Sequence, residues 1–300
     1  MALSSTDART GDGELANRSV ADDYRYTMSE APLSEWPIIV GGCHRSGTTL
    51  VRRILNSHSA IHCGPEVKFF LDFYGPPRGV KDYMNTARAF ASEDELLEFF
   101  GRGFVELHRR TAHRAGKPRW ADKAPENVLY WSHWQRLLGD QWLFIHVVRN
   151  PLDTIASLRE ASFGDDIPAH ILGQVIHYLD HTRAGLRFGR EHPLRYHPVI
   201  YEQLVTSPDE TLASLMSFLE EQFEPQQLEF NSQHPEPALE DHKINSTTAI
   251  HADSLHRWPE RLSARDAAFI WAHTSSLWMR VDPRQRFVRP PGEPLQLRYR

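Results

Sequence analysis

The chain has 300 residues, and its 34 Lys plus Arg against 39 Asp plus Glu leave a formal net charge of −5, without the basic excess of a general nucleic-acid binder. Apolar residues make up 40%, enough to bury a core and too many for a chain disordered throughout. Two cysteines, Cys43 and Cys63, exclude a disulfide scaffold and read as reduced thiols; no basic-then-apolar leader or apolar run of about 20 residues is visible, so a cytoplasmic chain without a membrane span is expected.

Residues 1–35 carry three Arg and seven Asp or Glu with few large apolar side chains, which predicts a mobile acidic tail. The rest of the chain is then nearly neutral, and it is expected to form one α/β domain over residues 36–290, followed by a short C-terminal tail, 291–300. Trp36 is expected to open the ordered part.

Pro37-Ile38-Ile39-Val40, closed by Gly41-Gly42, reads as a strand buried on both faces. Leu50, Val51, Ile54 and Leu55 then recur at helical spacing, so Cys43 to Thr49 is a turn between strand and helix. Residues 60–64 predict a short second strand, and 142–148 the strongest strand of the chain. Residues 196–201 predict another, with helical patterns over 93–110 and 171–187. This alternation predicts a central parallel sheet flanked by helices. The stretch from Phe70 to Trp120 reads as mostly helical, an insertion covering one side of the sheet as a lid.

Gly42-Cys43-His44-Arg45-Ser46-Gly47-Thr48-Thr49 departs from the P-loop pattern G-x-x-x-x-G-K-[ST] only at Thr48, where the lysine would stand. The physics of anion binding survives that change. Glycines let backbone N–H groups approach an anion, the helix N-terminus adds partial positive charge, and Arg45, Ser46, Thr48 and Thr49 supply further donors. What the loop loses is the lysine that reaches the β- and γ-phosphates, and the strong strand ends in Arg149 instead of an acid that could hold magnesium. An anion that brings no metal is the expected ligand.

After that strand, Asn150 suits an N-cap and Pro151 the first helical position, which puts Arg149 at the carboxyl end of a strand and Ser157 two turns along the next helix. Open α/β sheets bind ligands at that edge, and an Arg fork with a nearby hydroxyl suits a phosphate monoester. Glu66, just past the second strand, can act as a general base, with His62 as its rival. His177 and His181 are four apart but lack the Glu of H-E-x-x-H, so a surface or packing role is expected, and His146, inside an apolar strand, reads as a core histidine.

Residues 36–58 resemble the 5′-phosphosulfate loop of sulfotransferases that use 3′-phosphoadenosine 5′-phosphosulfate (PAPS). Arg45-Ser46-Gly47-Thr48-Thr49 is similar to tyrosylprotein sulfotransferases and their bacterial relatives. Arg149 to Ser157 resembles the family's 3′-phosphate motif, R-x-P-x-D-x-x-x-S. The resemblance, which runs over about residues 36–285, implies Glu66 as catalytic base, in Gly64-Pro65-Glu66 where the relatives read Gly-Glu-Glu. It implies Lys123, in a K-x-P segment, as stabiliser of the leaving oxygen, and Tyr201 as a nucleotide contact. Ser246 would belong to a late loop over the phosphosulfate, closed by Arg257-Trp258. The implied reaction is sulfuryl transfer from PAPS to a hydroxyl or amine of a small molecule, sugar or protein tyrosine, with no metal. The alternatives on the same architecture are a small-molecule or nucleoside kinase and a non-catalytic adenosine-bisphosphate-binding module.

Overall fold

The computed structural model describes residues 32–74, 88–160, 167–230 and 249–282. Five parallel strands form one sheet in the order β2-β3-β1-β4-β5: β1 (Ile38–Gly42), β2 (Ile61–Cys63), β3 (Arg119–Lys123), β4 (Leu143–Val148) and β5 (Tyr196–Ile200). β1 lies at the centre, with Ile38 opposite Ala121 of β3 and Leu143 of β4. The chain therefore leaves β1 for one side of the sheet and later crosses to the other, which makes the carboxyl end of β1 the switch point where such sheets bind ligands.

The two-residue period of β1 sorts its side chains between two cores. Ile38 and Val40 face Leu50, Val51, Ile54 and Leu55 of α1 (Thr48–Ser57), while Ile39 packs with Phe144 on the other face. That second face is covered by α2 (Phe69–Tyr74), α3 (Glu93–Leu96), a π-helical turn (Leu97–Gly101), α4 (Arg102–Arg114) and α5 (Trp131–Leu138). Phe70, Phe104, Val105 and Trp134 supply its contacts, so the helical insertion lies against the sheet. α6 (Pro151–Glu160), α7 (Ile171–Glu191) and the C-terminal α10 (Ala264–Val281) share a third core around Leu152, Ile155, Tyr178 and Ile270. α8 (Tyr201–Thr206) and α9 (Pro208–Leu219) follow β5 and close the α1 side with Leu204, Leu212 and Leu219.

Where described, residues 70–120 are mostly helical, as expected; at their end Arg119 and Trp120 open β3, a strand the sequence pattern did not show, which is buried along its whole length although it reads Arg-Trp-Ala-Asp-Lys. Each charge has its own partner. The Arg119 guanidinium donates to the carbonyls of Leu33, Trp36 and Leu219 and pairs with Glu221, and Asp122 lies 3.1 Å from His108 and accepts from Asn127. Burial lowers the Arg119 pKa to about 10, which still leaves it a cation at neutral pH. One expectation needs correction: the packed chain begins before Trp36, because Leu33–Glu35 forms a 3-10 turn and Leu33 packs on the α1-side core. Residues 1–31 and 291–300 lie outside the described residues.

Candidate active site

Each of the five strands delivers a candidate residue to the same edge of the sheet. Arg45 follows β1, Glu66 follows β2, Lys123 ends β3, Arg149 follows β4 and Tyr201 follows β5.

The turn after β1 is built for close backbone approach. Gly47 has φ +103, and a β-carbon there would lie 2.4 Å from Cδ2 of Tyr201, so glycine is required both for the backbone and for the ring packed on it. Arg45 is also left-handed, at φ 67. Its Nε donates to Ser157 Oγ at 3.0 Å, joining the turn to α6. Ser46 is fully buried, and its hydroxyl has no hydrogen-bond partner among the described residues. Thr48 and Thr49 begin α1, whose first amide groups point out of the helix toward the turn.

Arg149 sits beside this turn. Its Nη1 donates to the Arg45 carbonyl at 3.1 Å, its Nη2 to the Ser254 carbonyl, and its guanidinium lies 4.4 Å from the centre of the Tyr201 ring. Asn150 caps α6 as its sequence predicts, its Oδ1 accepting from the Leu152 amide. Asp153 accepts from the amides of His256 and Trp258, which fastens the turn holding Arg257-Trp258 to the start of α6. Glu202 accepts from the Asn150 amide at 2.9 Å, and burial raises its carboxyl pKa to about 7.

Lys123 has no exposed side-chain surface; it forms an ion pair with Glu66 and donates to Thr49 Oγ1 at 3.3 Å. Glu66, about one quarter exposed, is thus joined through one ammonium group to the start of α1. Just beyond Glu66 in the chain, the Phe69 ring stacks on Phe104 with centroids 4.3 Å apart and Phe70 on Tyr130 at 5.7 Å. Every predicted site residue but one is gathered here; Ser246 lies outside the described residues.

The donor set fits a phosphosulfate. An orphaned buried hydroxyl, a glycine at positive φ, a helix N-terminus and the cations Arg45, Lys123 and Arg149 converge on one edge.

Reading motifs did not reveal a second cluster. His44, inside the turn, faces His177 and His181 of α7, with His44 Nδ1 3.2 Å from His177 Nε2. His44 Nε2 lies 3.1 Å from Glu126 Oε1. Burial pushes the Glu126 carboxyl up, but the imidazole beside it outweighs this and the group sits at about 2. Burial lowers His177 to about 4 and His181 well below the usual histidine value, keeping both neutral. The i, i+4 spacing of His177 and His181 was visible in the sequence; their meeting with His44, 133 residues before His177, was not. His181 is buried, in keeping with the packing half of the expectation, and His146 is a core histidine as predicted, bonded to Tyr196 Oη at 2.9 Å.

Comparisons with known proteins point the same way. The model of the sulfotransferase family matches residues 37–225. A putative protein-tyrosine sulfotransferase of Caenorhabditis briggsae is 28% identical over 198 residues, covering 64% of this chain and 68% of that protein. Protein-tyrosine sulfotransferase 2 of Gallus gallus is 26% identical over 210 residues, 66% of this chain and 53% of its own length, so the chain spans about half of that relative. In fold, the chain is similar to the sulfotransferase domain of the Synechococcus PCC 7002 olefin synthase, with a TM-score of 0.55, 20% identity, and coverage of 80% of this chain and 94% of that one. A family match that starts in the segment leading into β1, takes in the turn at Arg45 and the Arg149–Ser157 segment, and covers more than half of the chain makes this protein a member of the sulfotransferase family.

Proposed function

We propose that the protein transfers a sulfuryl group from PAPS to a hydroxyl or amine acceptor. The observation that carries this reading is the convergence of Arg45, Glu66, Lys123, Arg149 and Tyr201 at the carboxyl ends of five successive strands. The turn amides, Arg45, Ser46, Thr48 and Thr49 bind the 5′-phosphosulfate. Arg149 and Ser157 bind the 3′-phosphate, and Tyr201, held between Gly47 and Arg149, contacts the nucleotide.

The acceptor oxygen attacks sulfur in line with the bond to the bridging oxygen. Its proton passes to Glu66 as the new S–O bond forms. The old S–O bond breaks, its electron pair goes to the 5′-phosphate, and Lys123 and Arg45 stabilise the growing charge, with Ser246 assigned to the same task. The products are the sulfated acceptor and adenosine 3′,5′-bisphosphate. Glu66 must part from Lys123 to act as base, so arrival of the donor, which offers Lys123 an anionic oxygen, frees the carboxylate. These steps need positioning and fixed charge, and no metal ion enters them.

A phenolic acceptor such as a protein tyrosine is the first choice. The aromatic cluster of Phe69, Phe70, Phe104 and Tyr130 just beyond Glu66 supports it, as do relatives named protein-tyrosine sulfotransferases. A cytoplasmic setting belongs to the same reading, supported by Cys43 and Cys63, two buried cysteines that form no disulfide. Among the described residues no helix is long and apolar enough to cross a membrane.

The test is incubation with radiolabelled PAPS and separate panels of tyrosine peptides, phenols, sugars and aliphatic alcohols. Transfer of label to phenolic acceptors, lost in Glu66→Gln, is expected. Label moving to none of the panels while adenosine 3′,5′-bisphosphate binds would reduce the protein to a nucleotide-binding module.

A further inference from the structure

We propose that His44, His177 and His181 form a binding site for one divalent transition-metal ion of the zinc type, clamping the phosphosulfate turn to α7. One ring nitrogen from each of the three residues lies within 4.8 Å of the others. His44 Nδ1 and His177 Nε2 are 3.2 Å apart, close to the roughly 3.3 Å that separates two nitrogens of a tetrahedral shell with Zn–N bonds of about 2.0–2.1 Å. Bringing the remaining separations, at most 4.8 Å, to that geometry requires side-chain movement of up to about 1.5 Å.

Two of the three histidines, His44 and His181, have the outer contact that metal-bound histidines need. The second ring nitrogen of a ligand is normally held by a carboxylate or a backbone carbonyl, which sets the tautomer and aims the ring. Glu126 stands 3.1 Å from His44 Nε2, leaving Nδ1 for the metal. The His177 carbonyl accepts from His181 Nδ1 at 2.8 Å, leaving Nε2 for the metal. That Nε2 is buried with no hydrogen-bond partner among the described residues, a cost that coordination removes. His177 and His181 are one turn apart on α7, the i, i+4 arrangement by which a single helix offers two imidazoles to one ion.

Three imidazole ligands suit zinc, cobalt or nickel over magnesium or calcium, which take oxygen ligands. Three protein ligands leave a fourth position for water or an anion. The site is separate from the transfer chemistry but reaches it through the chain, because His44 and Arg45 are adjacent. Occupancy fixes the backbone from which Arg45 extends. The inference does not depend on which acceptor, or whether any, is sulfated.

The test uses full-length protein stripped with a chelator, dialysed, and titrated with Zn²⁺ or Co²⁺ alone. One equivalent should bind, with the visible d–d absorption of tetrahedral Co²⁺. The Tm should rise by about 5 °C at a hundredfold excess of zinc over its Kd. His177→Gln, at a half-buried position, should abolish the cobalt band and the zinc shift while leaving the Tm of the stripped protein near that of wild type. His181→Gln should do the same, and if it fails to fold, His177→Gln decides alone. Absence of stoichiometric binding to wild type would overturn the proposal, as would an unchanged cobalt band in His177→Gln, which would place the ion at other histidines.

Discussion

Lys123 holds Glu66 across the carboxyl edge of the sheet, and it does so from a position with no exposed side-chain surface. An ammonium group so placed is costly unless paired, and here the pair joins the end of β3 to the segment after β2. The same two side chains are the proposed acid–base and leaving-group machinery, so the free protein stores its base and its cation in contact with each other.

Glu66→Gln keeps the size and one carbonyl oxygen of the side chain but removes the proton acceptor. We expect transfer to fall about 10²–10⁴-fold. Affinity for adenosine 3′,5′-bisphosphate should stay at the wild-type level, since the loss falls on the chemical step. Steady-state kinetics beside a binding titration checks this, and undiminished kcat would remove Glu66 from the mechanism.

Arg149 is expected to act on binding. Its guanidinium is anchored by the Arg45 and Ser254 carbonyls and lies over Tyr201, so Arg149→Ala removes a positioned charge and loosens the ring beneath it. Affinity for adenosine 3′,5′-bisphosphate should drop about 30-fold or more, while adenosine 5′-phosphate, lacking the 3′ group, should be much less affected. Equal losses for both nucleotides would contradict the assignment of Arg149 to the 3′-phosphate.

Gly47 is tested by a single methyl group. In Gly47→Ala the new β-carbon meets the Tyr201 ring at 2.4 Å, on a backbone with φ +103. A stability loss of about 1–3 kcal/mol is expected by denaturant unfolding, together with loss of nucleotide binding. Wild-type behaviour in both would show that the turn can rearrange without cost.

Glu202 gives a pH signature. Its folded pKa, raised by burial to about 7, lies above the unfolded value, so between the two the native state binds the extra proton. Its contribution is most favourable at acid pH and is lost as pH rises through about 4.5 to 7. Glu202→Gln keeps an acceptor for the Asn150 amide and removes the charge. At pH 8 the variant should be more stable by on the order of 1–2 kcal/mol, with the difference shrinking toward pH 5. A variant less stable than wild type at pH 8 would contradict this sign.

Arg119, fully buried, gathers three backbone carbonyls and one carboxylate around its guanidinium. Arg119→Ala strips the Leu33, Trp36 and Leu219 carbonyls of their donor and leaves Glu221 without its cation. A loss of about 3–5 kcal/mol is expected by denaturant unfolding; a change under about 1 kcal/mol would mean that water replaces the guanidinium.

The contrast between β1 and β3 explains how much the sequence discloses. Ile38-Ile39-Val40 is apolar, β-branched and followed by a glycine pair, so strand, turn and helix could be read in order. Arg119 to Lys123 is buried just as deeply, but its charges are matched by partners distant in sequence, such as Glu221, and no local pattern encodes such pairings. The site divides in the same way. The turn at Arg45 and the segment from Arg149 to Ser157 are local motifs and were legible. The ion pair of Lys123 with Glu66, the ring of Tyr201 against Gly47 and the meeting of His44 with α7 arise only when five strand ends come together.

The central claim is that this edge of the sheet grips adenosine 3′,5′-bisphosphate without a divalent cation. Thermal unfolding in excess EDTA, with that nucleotide, tests it most directly, compared with ATP and magnesium in a parallel series without chelator. The account predicts a saturable rise in Tm with the bisphosphate in EDTA, equivalent to about 2.7 kcal/mol at a hundredfold excess over Kd, and little or none with ATP and magnesium. An unchanged Tm with the bisphosphate, alongside stabilisation by magnesium ATP, would contradict it.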